Sequence, residues 1–208
     1  MGSEVSTGAR RTGRGRIERR QAILDAAFTV FARRGYANTC VQEIAQEAGV
    51  AKPTVYNHLH DKESLFREAV EAAADRIAAQ SLTVLDQLRV ATPDADPRPA
   101  LTAAARGLLS ALTCEEAASV GQLAASQPDR FQDLTASVRE RTALRVRSAL
   151  ADRLARLALS GQLRTCDPDQ AAEHLLSLLT GPLDYRPDAD PGPLVSTAVD
   201  VFLRAYGP

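Results

Sequence analysis

Along residues 17–34 the apolar side chains Ile23, Ala27, Val30 and Phe31 return at steps of four, three and one, which places one buried stripe on an α-helix. Gly35 follows Arg33 and Arg34, a composition that suits a helix C-terminus. From Val41 the same logic is compressed into two turns: Val41, Ile44, Ala45 and Ala48 stand at i, i+3, i+4 and i+7, and Gly49 closes the pattern. Pro53 predicts a fresh first turn a few residues later, because a proline there gives up an N–H that has no helical partner. Asp61, with Ser64 nearby, opens a longer run through Leu65, Phe66, Ala69, Val70, Ala73 and Ile77 to about residue 89.

The segment ATPDADPRP, residues 91–99, breaks the helical pattern. Beyond it the periodicity predicts helices at about 99–112, 115–126, 129–160, 168–180 and 192–206. No segment alternates with the period of a strand, and no repeat of fixed length is present. The expected fold is all-α, with about nine helices.

Two short helices joined across Gly49 make a helix-turn-helix pattern, and helical phase sorts the second one. Advancing about 100° per residue from Val55, Leu59 falls near 40° and shares its inward direction, while Pro53 and Asn57 fall near 160° and 200°, directly away. Thr54 and Tyr56 flank that outward line, and His58, near −60°, leans inward or lies along the groove wall. An asparagine amide pairs bidentately with adenine, a threonine offers a hydroxyl or a methyl, and a tyrosine hydroxyl reaches phosphate. Lys52 and Lys62 stand at the two ends, where they neutralise phosphates if DNA lies between them, and Thr39 precedes the first helix as a further backbone contact. The bland reading is a small helical hairpin whose polar face meets water.

Charge sharpens the choice. Residues 1–60 carry nine arginine and lysine side chains against five carboxylates, a surplus of +4 in a chain whose net charge is −1, which leaves −5 for the remainder. A basic end on an otherwise acidic chain points to a polyanionic partner. With 45% apolar residues, 25% charged residues and no long uncharged run, the chain reads as globular, without a membrane span. The basic, glycine-rich start has no apolar stretch of the kind a secretory signal needs, so a cytoplasmic location is expected. Cys40, Cys114 and Cys166 are odd in number and far apart, which supports neither a disulfide framework nor zinc.

Residues 16–70 resemble the DNA-binding domain of the tetracycline-repressor (TetR) family of transcriptional regulators. The resemblance is carried by ILDAAFTVFARRGY, then Thr39 with VQEIAQEAGV, then Lys52, Thr54 and Tyr56, then DKESLF. It implies that Thr39, Lys52, Tyr56 and Lys62 touch phosphates and that Pro53, Thr54 and Asn57 meet bases; His58 joins the expected DNA-binding set by its phase, as groove wall or phosphate neighbour. Cys40 and Ala51 stand where the family usually has serine or threonine caps, and Leu59 replaces a common aromatic residue.

The expected organisation is a disordered basic arm over 1–15, a three-helix DNA-binding domain over 16–62, and a helical effector-binding and dimerisation domain over 63–208. The arm either follows DNA or is a solubilising tail. Ala171, Ala172, Leu175, Leu176, Leu178 and Leu179 crowd one late helix, and Leu194, Val195, Ala198, Val199, Val201, Phe202 and Ala205 the other. Such wide apolar surfaces predict a homodimer through helices 168–180 and 192–206, with internal core as the alternative. An unidentified small-molecule effector is expected among the helices from about 62 to 180, with Arg106, Gln122 and His174 as polar candidates.

No catalytic residues, metal site or cofactor are expected. His58, His60 and Asp61 lack further ligands nearby, and no GxSxG, HExxH or glycine-rich phosphate loop occurs. The leading expectation is a dimeric repressor of a palindromic operator, released by its effector through the helix at 62–89. The competing class is an all-α ligand or protein-interaction module that does not read DNA.

Overall fold

The helical periodicity is realised along the chain. The computed structural model describes residues 6–88 and 95–208, and no strand occurs among them. The helices are α1 (Ser6–Asn38), α2 (Val41–Glu47), α3 (Lys52–His58), α4 (Lys62–Asp86), α5 (Arg98–Leu112), α6 (Glu115–Ala125), α7 (Leu134–Arg139), α8 (Arg145–Leu159), α9 (Pro168–Thr180) and α10 (Pro191–Tyr206). A π-helical turn, Glu140–Leu144, joins α7 to α8 without a gap, so the two count as one continuous helix and the described residues hold nine.

The chain divides into two compact units. One comprises the residues through Ala74 together with Ser119–Val138, and the other comprises Asp75–Ala118 and Arg139–Pro208. The sequence boundary at residue 62 coincides with the start of α4. The helix expected to begin after a disordered arm begins earlier, since residues 6–15 already belong to α1. The first five residues of that arm lie outside the described residues.

In the first unit α1, α2 and α3 close on the beginning of α4. Gly35, at φ 74° and ψ 166°, interrupts α1 where a stop is expected, in a conformation that an L side chain rarely adopts. Gly49, at φ 64°, closes α2. Neither α2 nor α3 receives a side-chain cap, because their N-cap positions are Cys40 and Ala51. The core contains Ile23, Ala27, Val30 and Phe31 of α1, Ile44 and Ala45 of α2, Val55 and Leu59 at α3, and Leu65, Phe66 and Ala69 of α4.

Residues 129–160 are not one helix. Residues 127–133 form successive turns, in which Phe131 N–H donates to Gln127 O at 2.9 Å and Leu134 N–H to Phe131 O at 3.1 Å. The reason is Phe131 itself, which is 3% exposed and lies with Phe31, Tyr36 and Phe66 in one aromatic cluster. Two ion pairs hold these turns: Arg67 forks onto Asp133 at 2.8 and 3.0 Å, and Arg130 meets Glu63.

In the second unit, α9 and α10 both begin at an Asp-Pro pair. Asp167 accepts from the N–H groups of Asp169 and Gln170, and Asp190 accepts from that of Gly192, so each aspartate supplies the cap while each proline fills the first turn. Packing of α5, α8, α9 and α10 buries Leu101, Leu108, Leu150, Leu154, Leu175, Leu179, Val195 and Phe202. Gly107 permits a close helix crossing: a Cβ there would stand 2.6 Å from a Val84 methyl.

Candidate nucleic-acid interface

Exposure along α3 follows helical phase. Val55 and Leu59 are 1% and 2% exposed, whereas Lys52, Pro53, Tyr56 and Asn57 are open to solvent and Thr54 and His58 are half-buried. Leu59 reaches the core from just beyond the helix, in extended backbone at φ −144°. Tyr56 exposes 43% of its surface, high for a tyrosine in a unit whose other described tyrosine is buried. The side chains of Lys52, Tyr56 and Asn57 have no hydrogen-bond or ion-pair partner among the described residues. Together they form one polar surface on a two-turn helix whose opposite side is packed.

Two of the expected contact residues sit differently. Thr39 is only 3% exposed and donates its hydroxyl to Gly35 O at 2.8 Å, which braces the turn between α1 and α2. Lys62 is half-buried, lies 4.6 Å above the Tyr36 ring and donates to Ala37 O at 3.3 Å. Burial pulls its ammonium below the ordinary lysine value, and the charge of Arg130 adds to that. Both side chains are thus occupied in holding the unit together. Sequence spacing placed them near α3 but carried no information about the carbonyls they meet.

Local folding at the start of α4 explains how Lys62 is aimed. Asp61 and Ser64 form a reciprocal cap: Ser64 N–H donates to Asp61 Oδ1 at 2.7 Å, and Asp61 N–H donates to Ser64 Oγ at 3.2 Å. The hydrogen bond from the Ser64 backbone holds the Asp61 carboxyl below its ordinary value. Arg130, a residue no local pattern singled out, stands 5.2 Å from the Tyr36 ring centroid.

The basic surplus is partly spent inside the unit. Arg20 pairs with Glu68, Arg33 with Glu43 and Glu47, and Arg34 with Glu43, so among the described side chains these three of the counted cations have partners on α2 or α4. Lys52 on α3 has none among the described residues.

The three effector candidates lie on three helices, α5, α6 and α9. Arg106 on α5 and Gln122 on α6 are exposed, and Gln122 belongs to the first unit while Arg106 and His174 belong to the second. His174 meets the Tyr206 hydroxyl at 2.6 Å, and both line a groove of about 360 Å³ together with Ser177, Leu178, Val201, Phe202 and Ala205. Most of the apolar residues expected to face a second subunit are internal core: Ala171, Ala172, Leu175, Leu179, Leu194, Val195, Ala198, Val199 and Phe202 are all buried. Each helix packs one stripe into the core, which leaves half-buried Leu176, Leu178 and Ala205 and exposed Val201. Among the described residues no three His, Cys, Asp or Glu side chains gather as metal donors, and no helix is long and apolar enough to cross a membrane.

Comparison with known proteins agrees with this architecture. Residues 23–69 match the family described as bacterial regulatory proteins, tetR family, and residues 99–208 match the C-terminal domain of AefR-like transcriptional repressors. The HTH-type transcriptional regulator AcrR of Shigella flexneri is 39% identical over 74 residues, 36% of this chain and 34% of that protein. The HTH-type transcriptional repressor ComR of Escherichia coli is 35% identical over 68 residues, 33% of this chain and 32% of its own. The chain thus spans about a third of the length of the curated relatives it matches. A crystal structure of a TetR-family regulator from Mesorhizobium loti is similar over 93% of this chain and 98% of its own, at 30% identity and a TM-score of 0.82. The flavonoid-responsive regulator FrrA is similar over 92% and 98%, at 26% identity and a TM-score of 0.67. With both halves matched and a whole-length structural relative, the chain belongs to the TetR family of transcriptional regulators.

Proposed function

We propose that the chain is a cytoplasmic, ligand-responsive transcriptional repressor that binds a palindromic operator as a homodimer and leaves it when a small molecule binds the C-terminal helices. The observation that carries this reading is α3: Lys52, Tyr56 and Asn57 are exposed and without partners among the described residues, on a helix held from behind by Val55. An unpartnered polar face on a recognition-type helix suits the major groove, where Pro53, Thr54 and Asn57 meet base edges and Lys52, Tyr56 and His58 the phosphates that flank them. Thr39 and Lys62 brace the end of α1, through the carbonyls of Gly35 and Ala37.

Repression follows the repressor family that residues 99–208 match. Release by a small molecule is in keeping with FrrA, which responds to a flavonoid. An effector acts by favouring a dimer whose two α3 helices no longer fit successive grooves, so its affinity must differ between the two states. Helix α4, whose residues belong to both units, is the path for that change. The dimer forms over the exposed strip of α9 and α10 that contains Val201.

Nuclease footprinting on DNA flanking the protein's own coding region tests this. The expected result is two protected half-sites related by two-fold symmetry, with centres about one helical turn, roughly 34 Å, or a longer interval apart. Protection of a single unsymmetrical patch contradicts the dimeric reading, and no protection at low salt favours a module that does not read DNA.

A further inference from the structure

The outward face of α3 also constrains what sequence it reads. This step rests on the reading of α3 given above. Pro53 and Asn57, four residues apart, lie on the line opposite buried Val55, the line that reaches deepest into a groove. Of the two, only Asn57 can make hydrogen bonds. Pro53 has neither a backbone N–H nor a polar side chain, and Thr54 beside it is half-buried.

Guanine is read most often by a lysine or arginine placed on this line, and α3 has neither there. Its one cation, Lys52, precedes Pro53 and lies near 60° from the inward direction, well off the outward line. Asn57 is exposed, has no partner among the described residues and presents an amide oxygen and an amide NH2 side by side. That pair matches the N6 donor and N7 acceptor of adenine, whereas guanine offers two acceptors in the same place. The ring methylenes of Pro53 and the methyl of Thr54 suit the thymine methyl.

We infer that Asn57 is the specificity-determining residue of α3, selecting adenine at one fixed position of each half-site, with thymine favoured opposite Pro53 and Thr54. The operator core is therefore A·T at its central contacts. A bidentate amide pair discriminates between bases by roughly ten- to a hundredfold.

The test is selection of duplexes from a pool with randomised palindromic half-sites, followed by affinity measurements with the full-length protein, Asn57→Ala and Asn57→Arg. Because Asn57 is exposed, both variants are expected to keep the wild-type circular dichroism spectrum and melting temperature. Wild type should enrich an adenine at one position per half-site and lose roughly ten- to a hundredfold in affinity when guanine replaces it. Asn57→Ala should lose that preference while keeping the wild-type salt slope, and Asn57→Arg should move it to guanine. An adenine preference that survives Asn57→Ala, or guanine enriched by the wild type at the central positions, overturns this inference and leaves the regulator reading standing. A pool from which nothing is enriched at low salt overturns both.

Discussion

Phe131 lies edge-on to Tyr36, with ring centroids 5.3 Å apart and planes at 81°, although all of α2 to α6 lies between them in the chain. The contact completes the aromatic cluster of the first unit and brings Arg130 above the same tyrosine as Lys62. The segment after α6 is consequently part of the packed unit that presents α3.

Phe131→Ala should therefore destabilise the first unit by about 3–5 kcal/mol, the usual cost of deleting a buried aromatic ring. Phe131→Leu should cost less, because it fills more of the space. Chemical denaturation followed by tyrosine fluorescence and far-UV circular dichroism reads both. A loss below about 1 kcal/mol for the alanine variant would mean that the ring contributes little to the cluster.

That contact was not legible in the sequence, for a physical reason. Phase around one helix is local, so Val55 inward and Asn57 outward follow from 3.6 residues per turn. Phe131 instead leaves the helical pattern of 129–160 to meet rings from α1 and α4, and no period along its own segment encodes partners so distant. For Lys62 and Thr39 the same holds: their positions near α3 were readable, but the carbonyls of Ala37 and Gly35 that hold them were not. Helices α9 and α10 were legible to within a residue because Asp-Pro starts are strong local signals. Which of their apolar residues face inward depends on neighbours in α5 and α8.

The Arg67–Asp133 pair gives a pH prediction. Hydrogen bonds from Arg67 hold the Asp133 carboxyl below its ordinary value of 3.8. A folded-state value below the unfolded one means that the contribution is present above about pH 4 and is lost as pH falls through the folded value. Side-chain NMR titration should show Asp133 with a depressed midpoint in wild type and an ordinary one in Arg67→Met. Equal midpoints in the two proteins would contradict the pairing.

Gly107→Ala should be destabilising, against the usual gain from replacing a helical glycine. The added Cβ would stand 2.6 and 2.9 Å from the two methyls of Val84, a β-branched side chain with little freedom to turn away. Overpacking of this kind costs about 1–3 kcal/mol, which outweighs or offsets the roughly 1 kcal/mol of helix propensity. Adding Val84→Ala should restore the melting temperature relative to the single variant. A single variant that melts higher than wild type would show that α4 and α5 separate at low cost.

Val201→Glu tests the surface proposed for dimerisation. Val201 is 41% exposed, so the change is tolerated in a single subunit, but a paired interface would bury an unpartnered carboxylate from each side, at several kcal/mol per ion. Sedimentation at micromolar concentration should show a dimer for wild type and a monomer for the variant. An undiminished dimer would place the interface elsewhere.

The central claim is that α3 reads operator DNA, and it is tested most directly by fluorescence anisotropy with a duplex from the DNA flanking the coding region, titrated at several salt concentrations. Wild type should bind selectively, with log K falling linearly in log salt, and Tyr56→Ala should bind much more weakly while unfolding at the wild-type temperature, since Tyr56 is exposed. Equal binding by wild type and Tyr56→Ala, or no binding by wild type even at low salt, would contradict the account.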